Sequence, residues 1–291
     1  MATRGLAVQL QRPRFVQGRA PDTALLRGGD QRRWPECDLA RGHWRRTGNT
    51  LVCREARNRG TTSGARSGHL DSPRLADENW LSRGWLRAYV ARRASDMAVL
   101  QTISVEDSPL TRAAIPNALV TELVRVWHER NRFLDAIDQV PQTLCHNDFW
   151  PKNLFSEGED STVAIDWAYA GIGGAGQDIG NFPAALLNMI VGVDHIEDLE
   201  RRIWTGYVMG LRDAGWDGDV PTVRLAFAAS AAVKYPWIVP RMIEIAHNPD
   251  LIANFERGFG ASIEEILRVR VVVLEHLVAL ADEARRLMSD R

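Results

Sequence analysis

The chain has 291 residues, of which 45% are apolar and ten are tryptophan, and a formal net charge of −1. This length suffices for one large domain or two lobes with a sizeable core, and no apolar run approaches the roughly 18 residues that a membrane helix needs. The cysteines Cys37, Cys53 and Cys145 are too far apart for a disulfide framework or a zinc site, so we expect a cytoplasmic protein.

Residues 1–75 differ in charge from the rest of the chain. They contain 15 arginines, no lysine and six acidic residues, which gives a net charge of +9 and leaves −10 for residues 76–291. Their glycine, arginine, serine and threonine follow no period, so we expect a poorly packed or disordered segment with one candidate strand at 49–56. A nucleic-acid-binding arm is the alternative, but interleaved aromatic residues and a recognised motif are missing, so we expect no nucleic-acid partner.

Helical periodicity begins near residue 78. The segment 78–100 has apolar residues at helical spacing, and 116–140 has a broad apolar face opposite a charged one. Two short strands, NLF and TVAID, are predicted on either side of the polar turn SEGEDS. Beyond Gly180 we expect only helices, at 183–193, 197–215, 222–239 and 262–288.

The stretch HNDFWPKN, residues 146–153, concentrates polar chemistry between the second helix and this hairpin. With a turn near Gly158 and Glu159, opposed residues are expected to have numbers that sum to about 319, which places Asn153 opposite Asp166 with Cβ atoms about 4.5–5.5 Å apart. An amide and a carboxylate oxygen, together with phosphate and water, are suitable ligands for Mg²⁺. Pro151 disfavours helix before it, so Asp148 lies in a loop that can reach the same point and accept or orient a hydroxyl proton.

The motif H-x-D-x-x-P-x-N, followed by an apolar strand that ends in I-D-W, resembles the aminoglycoside phosphotransferase family. Members of that family are small-molecule kinases with a protein-kinase-like fold. The matching positions are His146, Asp148, Pro151, Asn153, Asp166 and, in GQDIGNF, Asp178.

The resemblance implies a role for each of these positions. Asp148 would be the catalytic base or the group that orients the hydroxyl, and Asn153 and Asp166 would hold Mg²⁺ against the phosphates of ATP or GTP. His146 would orient the catalytic loop, residues 146–153, by hydrogen bonding, and Asp178 would brace it. Cys145, next to the motif, is expected to be a buried thiol rather than a nucleophile.

The resemblance covers residues 78–290 and implies an α+β, protein-kinase-like fold with a mainly α-helical C-terminal lobe at 76–291. Residues 1–75 stand where the family has its nucleotide-binding β lobe, which we expect to be degenerate, poorly ordered or missing. The family's phosphate-contacting lysine is absent, because no lysine precedes Lys152, and Arg54 is the only candidate to replace it. The segment is either a diverged lobe, a remnant of a lost one, or the product of a different reading frame; the last is compatible with 34 arginines against two lysines.

Two functions follow from this sequence. The first is transfer of the terminal phosphoryl of ATP or GTP to a hydroxyl of a small molecule, where the charge of −10 favours a cationic aminoglycoside or amino alcohol. The second is a catalytically inactive kinase-like module that binds a ligand. Candidate acceptor contacts are Asp194, Glu197, Asp198, Trp204, Tyr207 and Trp237, and the oligomeric state stays open.

Overall fold

The computed structural model describes residues 43–47, 50–54, 80–156 and 161–290, without the side chains of residues 43–54, 156, 161 and 162. The chain divides into two units, Met1–Arg33 and Trp34–Arg291, and every described residue belongs to the second. The sequence-based prediction of disorder in the first 75 residues therefore falls almost entirely outside the described residues. Only the candidate strand at 49–56 is tested, and it is confirmed as Thr50–Arg54.

Helices dominate the chain from residue 85 onward. Their bounds are α1 Trp85–Arg92, α2 Ala94–Ala98, α3 Pro109–Ala114, α4 Asn117–Asp138, α5 Pro183–Leu187, α6 Ile196–Asp213, α7 Val220–Lys234, α8 Ile238–Ala246, α9 Pro249–Phe259 and α10 Ile263–Ser289. The predicted helix at 116–140 is confirmed by α4, and those at 197–215 and 262–288 by α6 and α10.

The core is built around α7, which packs against α4 and α10. Every residue from Leu225 to Lys234 is buried, because this part of the helix is apolar on all sides except for Ser230 and Lys234. A helix that is apolar all round belongs in the centre of a domain. Its N-terminus is capped by Asp219, whose carboxylate accepts a hydrogen bond from the backbone N–H of Thr222 at 3.1 Å.

Three helix predictions are corrected by backbone conformation. The helix expected at 78–100 begins only at Trp85, after Gly84 with a positive φ of 73°. The helix expected at 183–193 ends at Leu187, and Met189 just beyond it has a positive φ of 54°. The helix expected at 222–239 ends at Lys234, because Pro236 disfavours helical geometry at the preceding residue.

Two small sheets lie beside the helices. The first is antiparallel in the order β1–β2–β6–β5, with β1 His43–Thr47, β2 Thr50–Arg54, β5 Leu154–Ser156 and β6 Ser161–Ala164. The second places β7 between the parallel β3 and the antiparallel β4, with β3 Ser82–Arg83, β4 Gln142–Cys145 and β7 Gly171–Gly174. The hairpin predicted around SEGEDS is thus confirmed as β5 and β6.

Strand β7 has the sequence GIGG, in which three of four residues are glycine, a residue depleted in strands. Its pairing with β3 needs glycine, since a Cβ on Gly171 would lie 2.4 Å from the carbonyl oxygen of Ser82. The expectation that only helices follow Gly180 is confirmed for the described residues, whereas β7 lies just before that point and was not predicted. No helix within the described ranges is long and apolar enough to cross a membrane.

Candidate functional site

The catalytic loop begins where β4 ends, and Asp178 anchors its first two residues. One carboxylate oxygen of Asp178 accepts a hydrogen bond from the backbone N–H of His146, and the other accepts one from Asn147, both at 2.7 Å. Burial raises the pKa of Asp178, although these two backbone donors and the ammonium of Lys234 favour the charged form. The aspartate therefore fixes the entry of the loop by two charge-assisted hydrogen bonds.

His146 connects the loop to the end of β6. Its Nε2 lies 2.7 Å from the carbonyl oxygen of Ile165, and its Nδ1 accepts a hydrogen bond from the backbone N–H of Asp148 at 3.2 Å. A carbonyl only accepts, so the proton is on Nε2 and the ring is the neutral tautomer. The imidazole thus holds the backbone of Asp148 next to the residue that precedes Asp166.

Asp148 and Asn153 are brought into direct contact. The amide nitrogen of Asn153 donates to both the carbonyl oxygen and the Oδ2 of Asp148, each at 2.9 Å. Because both partners are acceptors, the orientation of the amide is fixed. Its oxygen Oδ1 faces away from Asp148, with no hydrogen-bond partner in the part of the chain that the structure describes.

The predicted pairing of Asn153 with Asp166 is wrong by one residue. Leu154 pairs with Ala164, and the N–H of Ile165 donates to the carbonyl of Asn153 at 2.9 Å, so Ile165 is the residue opposite Asn153. The length of the turn causes the difference. Five residues, an odd number, lie between the paired Ser156 and Thr162, whereas the predicted pairing of Asn153 with Asp166 requires an even number.

Asp166 nevertheless follows Ile165 directly, and its backbone is not in the β conformation. Its φ and ψ are 58° and 61°, the left-handed region that few non-glycine residues adopt. Its side chain is exposed, and the described residues give it no hydrogen bond or ion pair. Strand alternation therefore does not set the direction of this carboxylate.

Arg54, the candidate replacement for the absent lysine, lies at the other end of the sheet. It pairs with Ser161, whereas Leu51 pairs with Ala164 near the loop. At about 3.3 Å per residue, the stretch from Ser161 to Asp166 separates the backbone of Arg54 from the metal-site candidate by roughly 15 Å. Lys152 is exposed, and its ammonium lies 5.2 Å from the centre of the Trp150 ring.

The most consequential residue that the sequence interpretation missed is Lys234, at the C-terminal end of α7. Its side chain is 8% exposed and donates to Asn181 Oδ1 at 2.6 Å and to the carbonyl of Asn147 at 3.3 Å. Burial lowers its pKa to about 8, against the attraction of Asp178 and Asp148. The signal was present in the sequence: a single lysine, one of two in the chain, interrupts the apolar run AFAASAAVKYPW.

Asn181 joins this lysine to the catalytic loop. Its Oδ1 also accepts a hydrogen bond from the hydroxyl of Tyr235 at 2.5 Å, and its Nδ2 donates to the carbonyl of Phe149 at 3.2 Å. Three side chains that support the loop, those of Asp178, Asn181 and Lys234, therefore come from the part of the chain between β7 and the end of α7. Cys145 is 1% exposed and burial raises its pKa, which confirms the buried thiol.

The residues considered as acceptor contacts do not form one group. Asp198 pairs with Arg201 and Arg202 on α6. Trp204 packs against the core, and the hydroxyl of Tyr207 accepts a hydrogen bond from the N–H of Gly176. Trp237 differs, since it lines a cavity near the catalytic loop.

A comparison with protein families matches residues 2–210 to the phosphotransferase enzyme family. The chain belongs to this family. Membership identifies it with phosphotransferases and implies the protein-kinase-like fold. Neither the curated proteins nor the solved structures contain a match to the chain.

The match includes the arginine-rich first segment and ends within α6, before Lys234 and the last four helices. The matched range includes residues 146–153, Asp166 and Asp178. The supporting helix α7 and everything after it lie beyond the matched residues. The division of the chain at residue 75 stays a prediction.

The residues present fit a magnesium ion. Asn153 Oδ1 and the Asp166 carboxylate are oxygen acceptors without protein partners among the described residues, and Mg²⁺ is usually held by one or two side chains together with substrate phosphates and water. A cluster of three or more histidine, cysteine or acidic side chains, as a closed metal site would need, is not found in the described ranges. Asn153 and Asp166 are therefore the candidate ligands.

Proposed function

We propose that this phosphotransferase moves the terminal phosphoryl group of ATP or GTP to a hydroxyl of a small molecule. The observation that carries the proposal is the contact between Asp148 and Asn153 on a loop anchored by Asp178. It joins a proton acceptor to a candidate magnesium ligand within one rigid unit.

Asp148 is the group that receives the acceptor's proton. Its Oδ2 accepts the hydrogen bond from Asn153, which leaves the other carboxylate oxygen for the incoming hydroxyl. The hydroxyl oxygen forms a bond to the terminal phosphorus, the bond from that phosphorus to the bridging oxygen breaks, and the nucleoside diphosphate leaves. Magnesium, bound by Asn153 and Asp166, would neutralise charge on the phosphates.

The test is nucleotide turnover by the purified chain, measured as nucleoside diphosphate release over a panel of hydroxylated amines and sugars. Asp148→Asn keeps the shape of the side chain but removes the proton acceptor, and should lower kcat about 10²- to 10⁴-fold. Asp213→Asn, an exposed change at the end of α6, is the matched control and should leave kcat unchanged. An Asp148→Asn enzyme with undiminished turnover would refute the assignment.

A second candidate function is a nucleotide-independent binding module. It is supported by the absence of any lysine before Lys152 and by the position of Arg54 far from the loop. Thermal unfolding with Mg²⁺ and a non-hydrolysable nucleotide separates the two functions, because a bound nucleotide raises Tm by mass action. A Tm that is unchanged at millimolar nucleotide favours the binding module.

The nature of the first segment bears on this choice. The family match begins at residue 2, which supports a diverged nucleotide lobe rather than residues from a different reading frame. The two other frames upstream of codon 76 provide the check. A lysine-bearing β pattern in either of them would restore the frame explanation.

A further inference from the structure

A cavity of about 230 Å³ lies where α5, α8, α9 and α10 meet, close to the catalytic loop. It is lined by Ala184, Leu187, Asn188, Tyr235, Trp237, Ile238, Arg241, Phe255 and Arg270. Apart from its two arginines, no lining residue carries a charge. The cavity is therefore locally positive in a region, residues 76–291, whose net charge is −10.

Arg270, on α10, is the unusual member of this lining. It is 9% exposed, and it makes no hydrogen bond or ion pair with any residue that the structure describes. Its Nε is fully buried and has no hydrogen-bond partner among those described residues. Buried guanidinium groups in proteins are normally paired, because removal of an ion from water is unfavourable by several kcal/mol.

The surroundings of Arg270 only partly offset this penalty. Its guanidinium lies 5.1 Å from the ring centre of Phe255 and 5.6 Å from that of Phe259, and such cation–π contacts are weakly attractive. The positive charge of Arg241 adds to the penalty, because it repels the guanidinium of Arg270. Burial, and then the positive charge of Arg241, lower the pKa of Arg270 to about 10.

Arg241 provides a second cation at the edge of the same cavity. Its only ion pair among the described residues is with Glu244, one turn away on α8, and both side chains are about 40% exposed. Its other N–H donors have no partner in the described part of the chain. Two forked donors that face one small cavity form a recognition site for an anion.

The cavity is connected to the catalytic loop through Tyr235. This residue lines the cavity, and its hydroxyl donates to Asn181, which in turn donates to Phe149 beside Asp148. The charge of Asp148 contributes to the raised pKa of Tyr235, after burial and Tyr89. A ligand in the cavity would thus lie on the side of the loop where Asp148 is found.

We propose that this cavity binds the anionic group, a carboxylate or a phosphate, of a small molecule whose apolar part contacts Trp237 and Phe255. This proposal rests on the proposed function, in which the small molecule is the phosphoryl acceptor. The phosphoryl acceptor is therefore anionic. The overall charge of residues 76–291 favours a cationic acceptor, but a contact charge inside a low-dielectric cavity outweighs distant surface charges that salt screens.

Direct binding without nucleotide tests the site independently of turnover. The probes are inorganic phosphate, benzoate and benzamide, the last having the shape of benzoate without its charge. We expect saturable millimolar binding of phosphate or benzoate by calorimetry, weakened by added salt, and no comparable binding of benzamide. Binding of the probes requires neither nucleotide nor proton transfer, so a failure of the proposed function would appear in turnover and not here.

Three variants locate the site. Arg270→Met keeps the apolar stem and removes the charge, and should weaken binding at least about tenfold. Arg241→Met, a safer change because its side chain is partly exposed, should weaken it severalfold. Arg268→Met removes an exposed arginine of the same helix that pairs with Glu265, and should leave binding unchanged.

The proposal is overturned if Arg270→Met and Arg241→Met both bind the anions with undiminished affinity. It is also overturned if benzamide binds as tightly as benzoate, or if neither anion binds at millimolar concentration. Phosphate raises the stability of most proteins by exclusion from their surfaces. For that reason the comparison among variants, rather than a change in Tm, decides the outcome.

Discussion

Lys234→Met should change how the stability of this protein depends on pH. The pKa of Lys234 is lowered from 10.5 to about 8 by burial, despite the nearby carboxylates of Asp178 and Asp148. Between these two values the unfolded chain retains a proton that the folded protein has released. Stability consequently rises with pH through this window, and below it the folded protein bears the full penalty of a buried charge.

The magnitude follows from the size of the shift. A difference of 2.5 pKa units corresponds to about 3 kcal/mol at most. Between pH 7 and pH 10 the part recovered is about 2–3 kcal/mol, since the unfolded state still binds some protons at pH 10. The side chain is 8% exposed, so solvent screening does not reduce this figure greatly.

The measurement is urea unfolding followed by tryptophan fluorescence at several pH values from 7 to 10. The free energy of unfolding of the unmodified protein should rise relative to that of Lys234→Met by about 2–3 kcal/mol over this range. Lys152→Met removes the other lysine of the chain, which is exposed, and should show the pH dependence of the unmodified protein. Parallel pH profiles for Lys234→Met and the unmodified protein would show that the lysine is not desolvated as described.

Two further substitutions test how the loop is held. Asp178→Asn replaces one of the two carboxylate oxygens that accept hydrogen bonds from the N–H groups of His146 and Asn147 with an amide NH₂. The free energy of unfolding should fall by about 2–3 kcal/mol. An unchanged urea midpoint would contradict the anchoring role. Gly180→Ala places a Cβ 2.1 Å from the hydroxyl oxygen of Ser230 and should lower stability by about 1–3 kcal/mol. Combination with Ser230→Gly should recover part of that loss, and failure of this recovery in urea unfolding would place the strain elsewhere.

The convergence of Asp148 and Asn153 was predictable from the sequence, because the two residues lie within one short loop. The spacing of Asp148 and Asn153 around Pro151 fixes a loop in which their side chains meet, and the structure places them in contact. The hairpin after them was also predictable from its apolar strands and polar turn. Its register was not, since the number of residues in a turn decides which side chains oppose each other, and a difference of one changes the partner of Asn153 from Asp166 to Ile165.

Long-range packing explains the features that the sequence did not predict. Strand β7 can pair with β3 because Gly171 has no side chain at the point where Ser82 approaches. This contact joins residues that are far apart in the chain. Lys234 reaches Asn147 only because α7 passes beneath the catalytic loop. Helix α9 is different: its capping residue Asn248, followed by Pro249, is a local start signal that could have predicted it.

The conformation of Asn147 shows why a buried lysine belongs at this position. With a φ of 65°, Asn147 is in the left-handed region, where its N–H donates to Asp178 and its carbonyl accepts from Lys234. Its side-chain oxygen accepts from Gln177 and its amide donates to a backbone carbonyl, so every polar group is satisfied. Asp178 without Lys234 would leave the carbonyl of Asn147 without this donor. Lys234 without Asp178 would lack the nearby negative charge. The two charges together hold one strained residue from both sides, and that residue sets the position of Asp148.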